Sequence, residues 1–503
     1  DQLQRNIPYF SVSRAFEGLV RDWLSQDSDT MNSWRSKLEK ELGSNIPVLV
    51  QIIPEMEYLL GEQPEPAELP DAETKNRLRE VFGKFIRSIA THEHPLVLFM
   101  DDLQWADGAS IQLLETLLTD SFDTHMLVIG TFRPQEATAN TQLMTSFANL
   151  EEQGFERTDV HLKPLSEKAV RQMIAETVHQ EIDVCEPFAD LIFSKTGGNP
   201  FFIGEFISSL REKELLHFDF ADQNWHWNLN DIAREDITDN VVDLVTEKIS
   251  RLSSDSQKTL TLAACIGTSF ELGLLMHIGK QTLFEVEQNL EEAIEHGMIY
   301  PKSDNYDYLS RLADETKNES YKLPEEYEGL SFSFSHDRVQ QAAYGLIPQH
   351  ANGAMHLKIG RRMMEIADGV DNDETLFELL AHINKGIAGV KHIDDRKQIA
   401  EFNLQAGRKA IASVAYEPAM RFLMAASTVL SVENRIHDYE LCIAVELELA
   451  HSAMLNGLTD EAEKRLNDAL EFAEADLDKA RIIEMLVRMH IQNADFDKAF
   501  DVA

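Results

Sequence analysis

The chain is poor in the residues that would support several common functions. Only three cysteines, Cys185, Cys265 and Cys442, occur among 503 residues, and their wide separation gives neither a disulfide framework nor a metal-ligand spacing. We therefore expect three packed thiols in a reducing cytosol. No uninterrupted apolar run reaches the roughly 18 residues that a bilayer requires. A soluble cytoplasmic protein with no membrane span is expected.

Positive charge is also scarce. Lys and Arg number 46 against 87 Asp and Glu, which gives a formal net charge of −41. Such a surface repels phosphate backbones and anionic membranes, so we expect this segment to bind no nucleic acid. The length predicts roughly three domains.

A phosphate-cradling GxxxxGK[ST] loop is absent from the sequence. The most informative stretch that is present runs from Pro95 to Asp107, PLVLFMDDLQWAD, where apolar residues in strand register end in two carboxylates. Ligand sites of open α/β sheets lie just beyond the carboxyl ends of the strands, where Asp101 and Asp102 fall. This pattern is typical of a Walker B strand, in which Asp101 would hold Mg²⁺ and Asp102 would orient water. An ordinary core strand that runs into an Asp-rich loop is the alternative.

The fuller string DDLQWAD resembles the Walker B motif of the STAND branch of AAA-like ATPases, the regulatory signal-transduction NTPases. The opening DQLQRNIPYFSVSRAFEGLVRDWL resembles the segment that follows the P-loop in large bacterial multi-domain serine/threonine and histidine signalling kinases. Because Walker A normally precedes Walker B, we expect a fragment that starts after the P-loop. The resemblance implies ATP or ADP and Mg²⁺ as cofactors, although the fragment alone should bind nucleotide poorly.

Helical spacing predicts a helix from Phe10 to Leu24, and a second from Ser110 to Leu118 with Asp107 or Ser110 as its N-cap. Met126 to Phe132 predicts the next buried strand. The residue after it, Arg133, stands at the sensor 1 position, where the resemblance implies a contact with the γ-phosphate. The alternative is a solvated arginine that heads an Arg-Pro turn.

A helical lid is expected next. Leu162 to Leu165 predicts a short strand, and Ser166 predicts the N-cap of a helix that ends at Val178. The string TGGNPFFIGEFI, Thr196 to Ile207, resembles the GxP motif of STAND lids, which implies that Gly198 and Pro200, and more weakly Asn199, contact the base. A helix C-cap glycine followed by a proline at the next helix start is the alternative.

Four helices are predicted at Asn240 to Leu252, Ser254 to Ile266, Leu272 to His277 and Leu283 to His296. Strands are predicted at Gly297 to Tyr300 and Leu330 to Ser335, separated by a charged insertion from Ser303 to Glu328. This order suggests a winged helix. Because the segment lacks the basic stripe that DNA binding requires, the regulatory winged-helix subdomain of STAND ATPases fits better.

The string FSHDRVQQAAY, which includes His336, closely resembles one at this position in the same signalling kinases. By analogy with related STAND proteins, His336 would touch the β-phosphate of bound ADP and Asp337 would fix its orientation. The alternative is that His336 starts a helix. The apolar face of that helix would be Val339, Ala342, Ala343 and Leu346.

From Leu357 onward the composition predicts helices arranged as an α-solenoid. Three similar strings, AYEPAMRFL, LTDEAEKRL and DFDKAFDVA, carry a buried-type alanine at Ala419, Ala462 and Ala499. Their spacing of 43 and then 37 residues is looser than the roughly 34-residue tetratricopeptide (TPR) period. Truncated TPR-like repeats that bind protein partners are expected, with a non-repetitive helical bundle as the alternative.

The expected fold is an α/β P-loop NTPase core, partial because Walker A is missing, with a helical lid, a winged-helix subdomain and an all-α solenoid. Its boundaries are 1–165 for the core, 166–237 for the lid, 238–350 for the winged helix and 351–503 for the repeats. The expected function is an ATP-binding regulatory module, kinase-linked, that switches between ADP-closed and ATP-open states and whose oligomerisation depends on ATP. No kinase signature is encoded here. The alternatives are the ATPase module of a STAND transcriptional activator and a nucleotide-free scaffold.

Overall fold

The structure is a computed structural model, and it describes residues 7–67, 69–119, 125–137, 140–234, 241–302, 329–366, 373–430 and 432–503. The predicted insertion from Ser303 to Glu328 lies outside these ranges. The chain divides into two compact units. The first unit combines residues 1–157 with residues 352–503, and the second unit comprises residues 158–351.

The first unit begins with five helices. The predicted helix from Phe10 is confirmed, and its buried residues Phe16, Val20 and Trp23 follow helical spacing on one face. Asp27 begins the second helix by accepting hydrogen bonds from the amides of Asp29 and Thr30. The five helices are α1 (Phe10–Ser25), α2 (Ser28–Leu42), α3 (Ile46–Ile52), α4 (Met56–Leu60) and α5 (Asp71–Ile89).

Two parallel strands follow, β1 (Leu96–Met100) and β2 (Met126–Gly130), joined through helix α6 (Gly108–Thr119). The predicted strands and helix are therefore confirmed, but the prediction that the second strand is buried was wrong: β2 ends at Gly130 and contains no buried residue, because one face of the sheet is exposed. Asp107 caps α6 by accepting from the Ser110 amide. Their register pairs Leu96 with Met126 and Met100 with Gly130, so both strands end at the same edge. Two helices complete this part, α7 (Pro134–Ala137) and α8 (Thr141–Glu152).

The second unit opens without the strand predicted at Leu162 to Leu165. Residues 155–165 form neither helix nor strand, so that prediction was wrong. An apolar pattern makes a strand only where a neighbouring strand supplies hydrogen-bond partners. The helix capped by Ser166 is confirmed. The elements are α9 (Glu167–Val178), α10 (Ile182–Thr196), α11 (Pro200–Glu212), the antiparallel hairpin β3 (Leu216–Asp219) and β4 (Asn224–Trp227), and α12 (Leu229–Arg234).

The rest of the second unit matches the predicted order of helices and strands, except for a short strand at Ser269–Glu271 that was not predicted. The elements are α13 (Val241–Ser250), α14 (Ser254–Ile266), β5 (Ser269–Glu271), α15 (Leu272–Gly279), α16 (Leu283–Glu295), β6 (Ile299–Pro301), β7 (Ser331–Phe334) and α17 (Asp337–Gly345). The three strands form an antiparallel sheet in the order β5-β7-β6. A capping box at Thr282 and Glu285 begins α16.

The C-terminal part is helical throughout its described residues. Its helices are α18 (Gln349–Ile366), α19 (Asp373–Lys385), α20 (Ile393–Ala412), α21 (Tyr416–Val429), α22 (Val432–His437), α23 (Tyr439–Leu455), α24 (Thr459–Phe472), α25 (Asp476–Gln492) and α26 (Phe496–Val502). The three repeated strings form α21, α24 and α26. Their alanines, Ala419, Ala462 and Ala499, are all buried, as expected for a solenoid-like packing of helix pairs.

The turns before these three helices share one geometry. Each contains a residue at positive φ, namely Val414 at 63°, Gly457 at 73° and Ala494 at 58°. In each turn the next residue donates its amide to a carbonyl five residues earlier, as Ala415 does to Ala410. The sequence repeat is therefore also a structural repeat.

The structure also bears on the two predictions made from the cysteine content and from the apolar runs. All three cysteines are buried, which confirms the prediction of packed thiols, and burial raises the pKa of the Cys185 thiol. Within the described ranges, no helix combines the length and the apolar character needed to cross a bilayer.

Candidate functional site

Asp101 and Thr131 lie side by side where the two parallel strands end. Asp101 follows Met100 and Thr131 follows Gly130, the last register pair of the sheet. The Thr131 hydroxyl donates a hydrogen bond to the Asp101 carboxylate and accepts one of 3.0 Å from the Asp102 amide. A threonine on the neighbouring strand therefore fixes both acidic residues.

Gln104 joins Asp102 to the loop after β2. Its side chain, 1% exposed, donates a 2.8 Å hydrogen bond to Asp102 Oδ1 and a 3.3 Å bond to Glu136 Oε2. Its Oε1 accepts from the Arg133 amide at 3.2 Å. The nitrogen and the oxygen of the Gln104 side-chain amide are thus both hydrogen-bonded, and they link the loop after β1 to the segment after β2.

Arg133 lies on the same edge and is half-buried. Its guanidinium forms a 3.3 Å ion pair with Glu136 Oε1. Asp102 has left-handed backbone geometry, φ 55° and ψ 48°, a conformation that Asp tolerates better than most residues. Asp101, Asp102 and Arg133 therefore lie at one edge of the sheet, just beyond the strand ends where the sequence places them.

Asp107 is a buried carboxylate that sequence reasoning treated only as a helix cap. Its oxygens accept from the amides of Tyr9 at 2.9 Å, Ser11 at 3.3 Å and Ser110 at 2.8 Å, and from the Ser110 hydroxyl at 2.6 Å. Burial raises its pKa, and the hydrogen bonds from Ser110, Ser11 and Tyr9 oppose that shift. Asp107 therefore ties the start of α1 to the start of α6.

The chemistry of this edge fits a hard cation. Mg²⁺ takes oxygen ligands and is held in proteins by one or two carboxylates together with phosphate oxygens and waters. Asp101, Asp102 and Thr131 present oxygen atoms here. In the described ranges, the three-residue group with ligand atoms close enough for a metal is Asp219, Asp222 and His226, exposed on the β3-β4 hairpin. Asp101 would hold an ion together with phosphate.

The other predicted residues lie in the second unit. Gly197 has left-handed geometry and ends α10, whereas the Asn199 side chain accepts from the Phe202 amide at 3.1 Å and Pro200 is the first residue of α11. This is the arrangement that the sequence left open as the alternative, a helix C-cap glycine followed by a proline at the start of the next helix. Gly198 is buried at φ 77°, and a Cβ there would lie 2.3 Å from the Leu165 carbonyl oxygen. Asn199 and Pro200 are exposed.

His336 lies against this segment. Its ring stacks on Phe201, the residue after Pro200, with centroids 4.0 Å apart and planes at 23°. Its Nδ1 lies 2.5 Å from Asp337 Oδ1 and 3.1 Å from the Arg338 amide. Nδ1 accepts the hydrogen bond from the Arg338 amide, which makes His336 the N-cap of α17. The Asp337 carboxylate lies beside the same nitrogen.

The predicted residues thus form two groups. Asp101, Asp102 and Arg133 lie together in the first unit, while the segment Gly198–Pro200 and His336 lie together in the second. A cavity of about 880 Å³ beside Trp225 and Trp227 and one of about 740 Å³ beside Trp23 and Trp34 contain none of these residues.

Three contributing residues were missed by sequence reasoning. Thr131 could have been found, because it is the strand-end partner of Asp101 once the parallel pairing is assumed. Gln104 lies inside the DDLQWAD string, but its reach to Arg133 depends on tertiary structure. The contact of Phe201 with His336 could not be predicted, since an aromatic residue in the first turn of a helix usually packs in a core.

Comparisons with known proteins find two histidine kinases that resemble this chain. The chain is 25% identical to "Hybrid signal transduction histidine kinase G" of Dictyostelium discoideum, over all of this chain and 17% of the relative. It is 20% identical to a peroxide stress-activated histidine kinase of Schizosaccharomyces pombe, over 61% of this chain and 15% of the relative. The chain therefore spans less than a fifth of the length of these curated relatives.

Among solved structures, a STAND protein with a tetratricopeptide repeat sensor from Pyrococcus horikoshii matches at 13% identity and a TM-score of 0.45. The match covers 91% of this chain and 55% of that one. The family comparison covers residues 1–129, which match the AAA ATPase domain. The predicted resemblance to AAA-like ATPases is confirmed for residues 1–129, which match the AAA ATPase domain family.

Proposed function

We propose that this chain is the ATP-binding regulatory module of a signal-transduction protein and that it is linked to a histidine kinase. The observation that carries the proposal is the edge where Asp101, Asp102, Thr131 and Arg133 meet. The names of the curated relatives support the kinase link. The helical repeats after the ATPase region supply a surface for protein partners.

In this proposal, Asp101 holds Mg²⁺ with phosphate oxygens, while Asp102, fixed by Gln104, orients water. Arg133 contacts the γ-phosphate, and its backbone tie to Gln104 places it beside Asp102. Residues 166–237 act as a lid in which Gly198, Asn199 and Pro200 contact the base. Residues 238–350 act as a winged helix in which His336 meets the β-phosphate of ADP, and residues 351–503 act as TPR-like repeats.

Nucleotide binding in this proposal requires a phosphate-cradling loop. No GxxxxGK[ST] occurs in the sequence, and one face of the two-stranded sheet is apolar and exposed. Val97 and Phe99 on β1 are 58% and 57% exposed, and Leu127 and Ile129 on β2 are 56% and 42% exposed. Parallel strands are normally covered on both faces. We propose that the strand–loop–helix that carries the phosphate loop packs here.

The module would work as a switch. With ADP bound, His336 and the lid hold the closed state. Exchange for ATP releases it, and the repeats pass the change to partners or to other copies. A nucleotide shifts the equilibrium only if its affinities for the closed and open states differ. ADP must therefore bind the closed state more tightly, and ATP the open state.

The test is nucleotide binding by the natural protein that contains these residues with its adjoining coding sequence. We expect Mg²⁺-dependent binding of a fluorescent ADP analogue, weakened about tenfold or more by Asp101→Asn, which corresponds to the loss of at least about 1.4 kcal/mol. Asp29→Asn, the same change at an exposed position of α2, is the control. Binding that is indifferent to Asp101→Asn, or no binding by a folded protein, would favour the nucleotide-free scaffold.

A further inference from the structure

The helical repeats contact the ATPase region, residues 7–157, at the turn of residues 413–416 between α20 and α21, and also where His451 of α23 lies 3.2 Å from Asp71 of α5. The Tyr9 hydroxyl donates a 2.6 Å hydrogen bond to the Ser413 carbonyl, and Gln51 Nε2 donates a 3.1 Å bond to the Ser413 hydroxyl. Val414 and Ala415 are buried in the same hydrophobic core as Tyr9 and Leu113 of α6. This docking turn is therefore part of the core of the first unit.

The docking turn differs from the two later turns of the repeat. At the later turns, the corresponding asparagine contacts the preceding repeat: Asn456 donates to the Tyr416 carbonyl at 2.8 Å, and Asn493 donates to the Thr459 hydroxyl at 3.4 Å. At the docking turn, Ser413 instead bonds to Gln51 of α3. The contact between Gln51 and the docking turn therefore takes the place of the contact that one repeat makes with the preceding repeat at the later turns.

Two residues at this contact have a strained backbone conformation. Val414 has φ 63° and Tyr9 has φ 58°, a region that branched and bulky residues rarely adopt. The equivalent of Val414 is Gly457 in the next turn and Ala494 in the last. Burial of the Val414 side chain in the shared core offsets the cost of this backbone conformation.

Tyr9 connects the docking turn to the acidic loop. Its hydroxyl holds Ser413, and its amide donates to Asp107 Oδ1 at 2.9 Å. Asp107 ends the loop that begins with Asp101 and Asp102 and that includes buried Gln104. Hydrogen bonds therefore link the repeats to Asp107 through Tyr9, and residues 103–106 of the same loop link Asp107 to the two acidic residues.

We propose that Tyr9 and Asp107 form a coupling node through which displacement of the helical repeats alters the loop that carries Asp101 and Asp102. A partner that pulls on the repeats would unseat the docking turn, release Tyr9 and loosen the Asp107 hydrogen bonds. Coupling of this kind is a property of residues 1–503 and does not require bound nucleotide. Failure of the proposed function in a binding assay would therefore leave it intact.

The test is amide hydrogen exchange of the full chain carrying Tyr9→Phe, which removes only the hydroxyl. We expect exchange to quicken about fivefold, the factor for one neutral hydrogen bond, in residues 413–416 and also in residues 101–110. The matched control is Tyr439→Phe. The Tyr439 hydroxyl bonds to Asp478 and the Glu474 amide within the repeats, so its loss should leave residues 101–110 unchanged.

A second pair of variants tests the packing contribution. Val414→Gly removes the side chain that docks, whereas Ala494→Gly makes the same backbone change in an undocked turn. We expect quicker exchange in residues 101–110 for Val414→Gly alone. If the docking turn loosens in Tyr9→Phe or Val414→Gly while residues 101–110 exchange as before, the turn is a packing contact only and the proposal is wrong. An unchanged docking turn in Tyr9→Phe would also contradict it.

Discussion

At the residue scale, the candidate site depends on side chains that fix the acidic residues as much as on the acidic residues themselves. Gln104 bonds to Asp102, to Glu136 and to the Arg133 amide, and Thr131 bonds to Asp101. A buried polar group left without its partner is costly. The local sequence carries the acidic pair, but these contacts form only when two distant strands pair.

Replacement of Gln104 by leucine should lower the free energy of unfolding of the first unit. The change leaves the Asp102 carboxylate and the Arg133 amide without this partner, and we expect a loss of about 1–3 kcal/mol. Urea unfolding measures it. Gln112→Leu on the exposed face of α6 is the control, with an expected effect within about 0.5 kcal/mol. Equal effects of the two changes would mean that the Gln104 bonds contribute nothing net.

The buried histidines of the repeats predict a pH dependence. His356 and His382 lie with their Nδ1 atoms 2.9 Å apart. Burial, with the nearby Lys385 charge, lowers the pKa of His356 to about 4. Burial, with the charges of His356 and Lys385, lowers the pKa of His382 to about 3. The neutral rings are therefore favoured by folding, and their contribution is present above pH 6.5 and is lost as the pH falls toward 4 and 3.

Stability should thus fall below pH 6.5 by up to about 1.4 kcal/mol per pH unit for each histidine. His382→Gln should flatten this acid limb when urea unfolding is measured between pH 6.5 and 4.5. His350→Gln, at an exposed position of the same helix as His356, should not. An unchanged slope in His382→Gln would show that the pair is not the source of the acid sensitivity.

At the element scale, helices were predicted well because their apolar period and caps are local signals. Helix α14 has the predicted bounds, and Ser166 and Asp107 cap the helices they were expected to cap. The strand at Leu162 to Leu165 failed, because strand formation depends on a neighbour that the local sequence does not specify. The docking of residues 413–416 on α3 and α6 could not be predicted, since it joins segments about 300 residues or more apart.

The connection between α10 and α11 gives an element-scale prediction. Gly197 and Gly198 both have positive φ, but a Cβ at Gly197 meets nothing within 4 Å, whereas one at Gly198 lies 2.3 Å from the Leu165 carbonyl oxygen. Gly197→Ala should cost about 1–2 kcal/mol from backbone strain. Gly198→Ala should cost clearly more, because the strain is joined by a clash with backbone. Thermal unfolding of residues 158–351 measures both, and equal costs would mean that the Leu165 segment moves away freely.

At the scale of the whole molecule, the two units differ in how the chain builds them. The second unit is continuous, residues 158–351, whereas the first combines two segments, 1–157 and 352–503. The hydrophobic core of the first unit includes Ala410, Val414, Ala415 and Ala419 from the C-terminal segment. The ATPase region therefore depends on the repeats for part of its core.

Expression of separate segments tests this division. Residues 158–351 should fold alone, because they contain a hydrophobic core among α9 to α12 and further buried apolar residues in α13 to α17. Residues 1–157 alone should aggregate, because the surface that α20 and α21 cover would be exposed. Co-expression with residues 352–503 should restore a soluble complex. Circular dichroism measures the folding of each segment, and size-exclusion chromatography measures its association. A monomeric, folded 1–157 segment would contradict the shared core.

The proposed nucleotide switch is tested by hydrogen exchange of the natural protein that contains these residues, first in saturating Mg·ADP and then in saturating Mg·ATP. We predict that the two nucleotides give different exchange in residues 101–104 and 131–133 of the first unit and in residues 198–201 and 336–338 of the second. Identical exchange with both nucleotides, or exchange that matches the nucleotide-free protein, would contradict the switch.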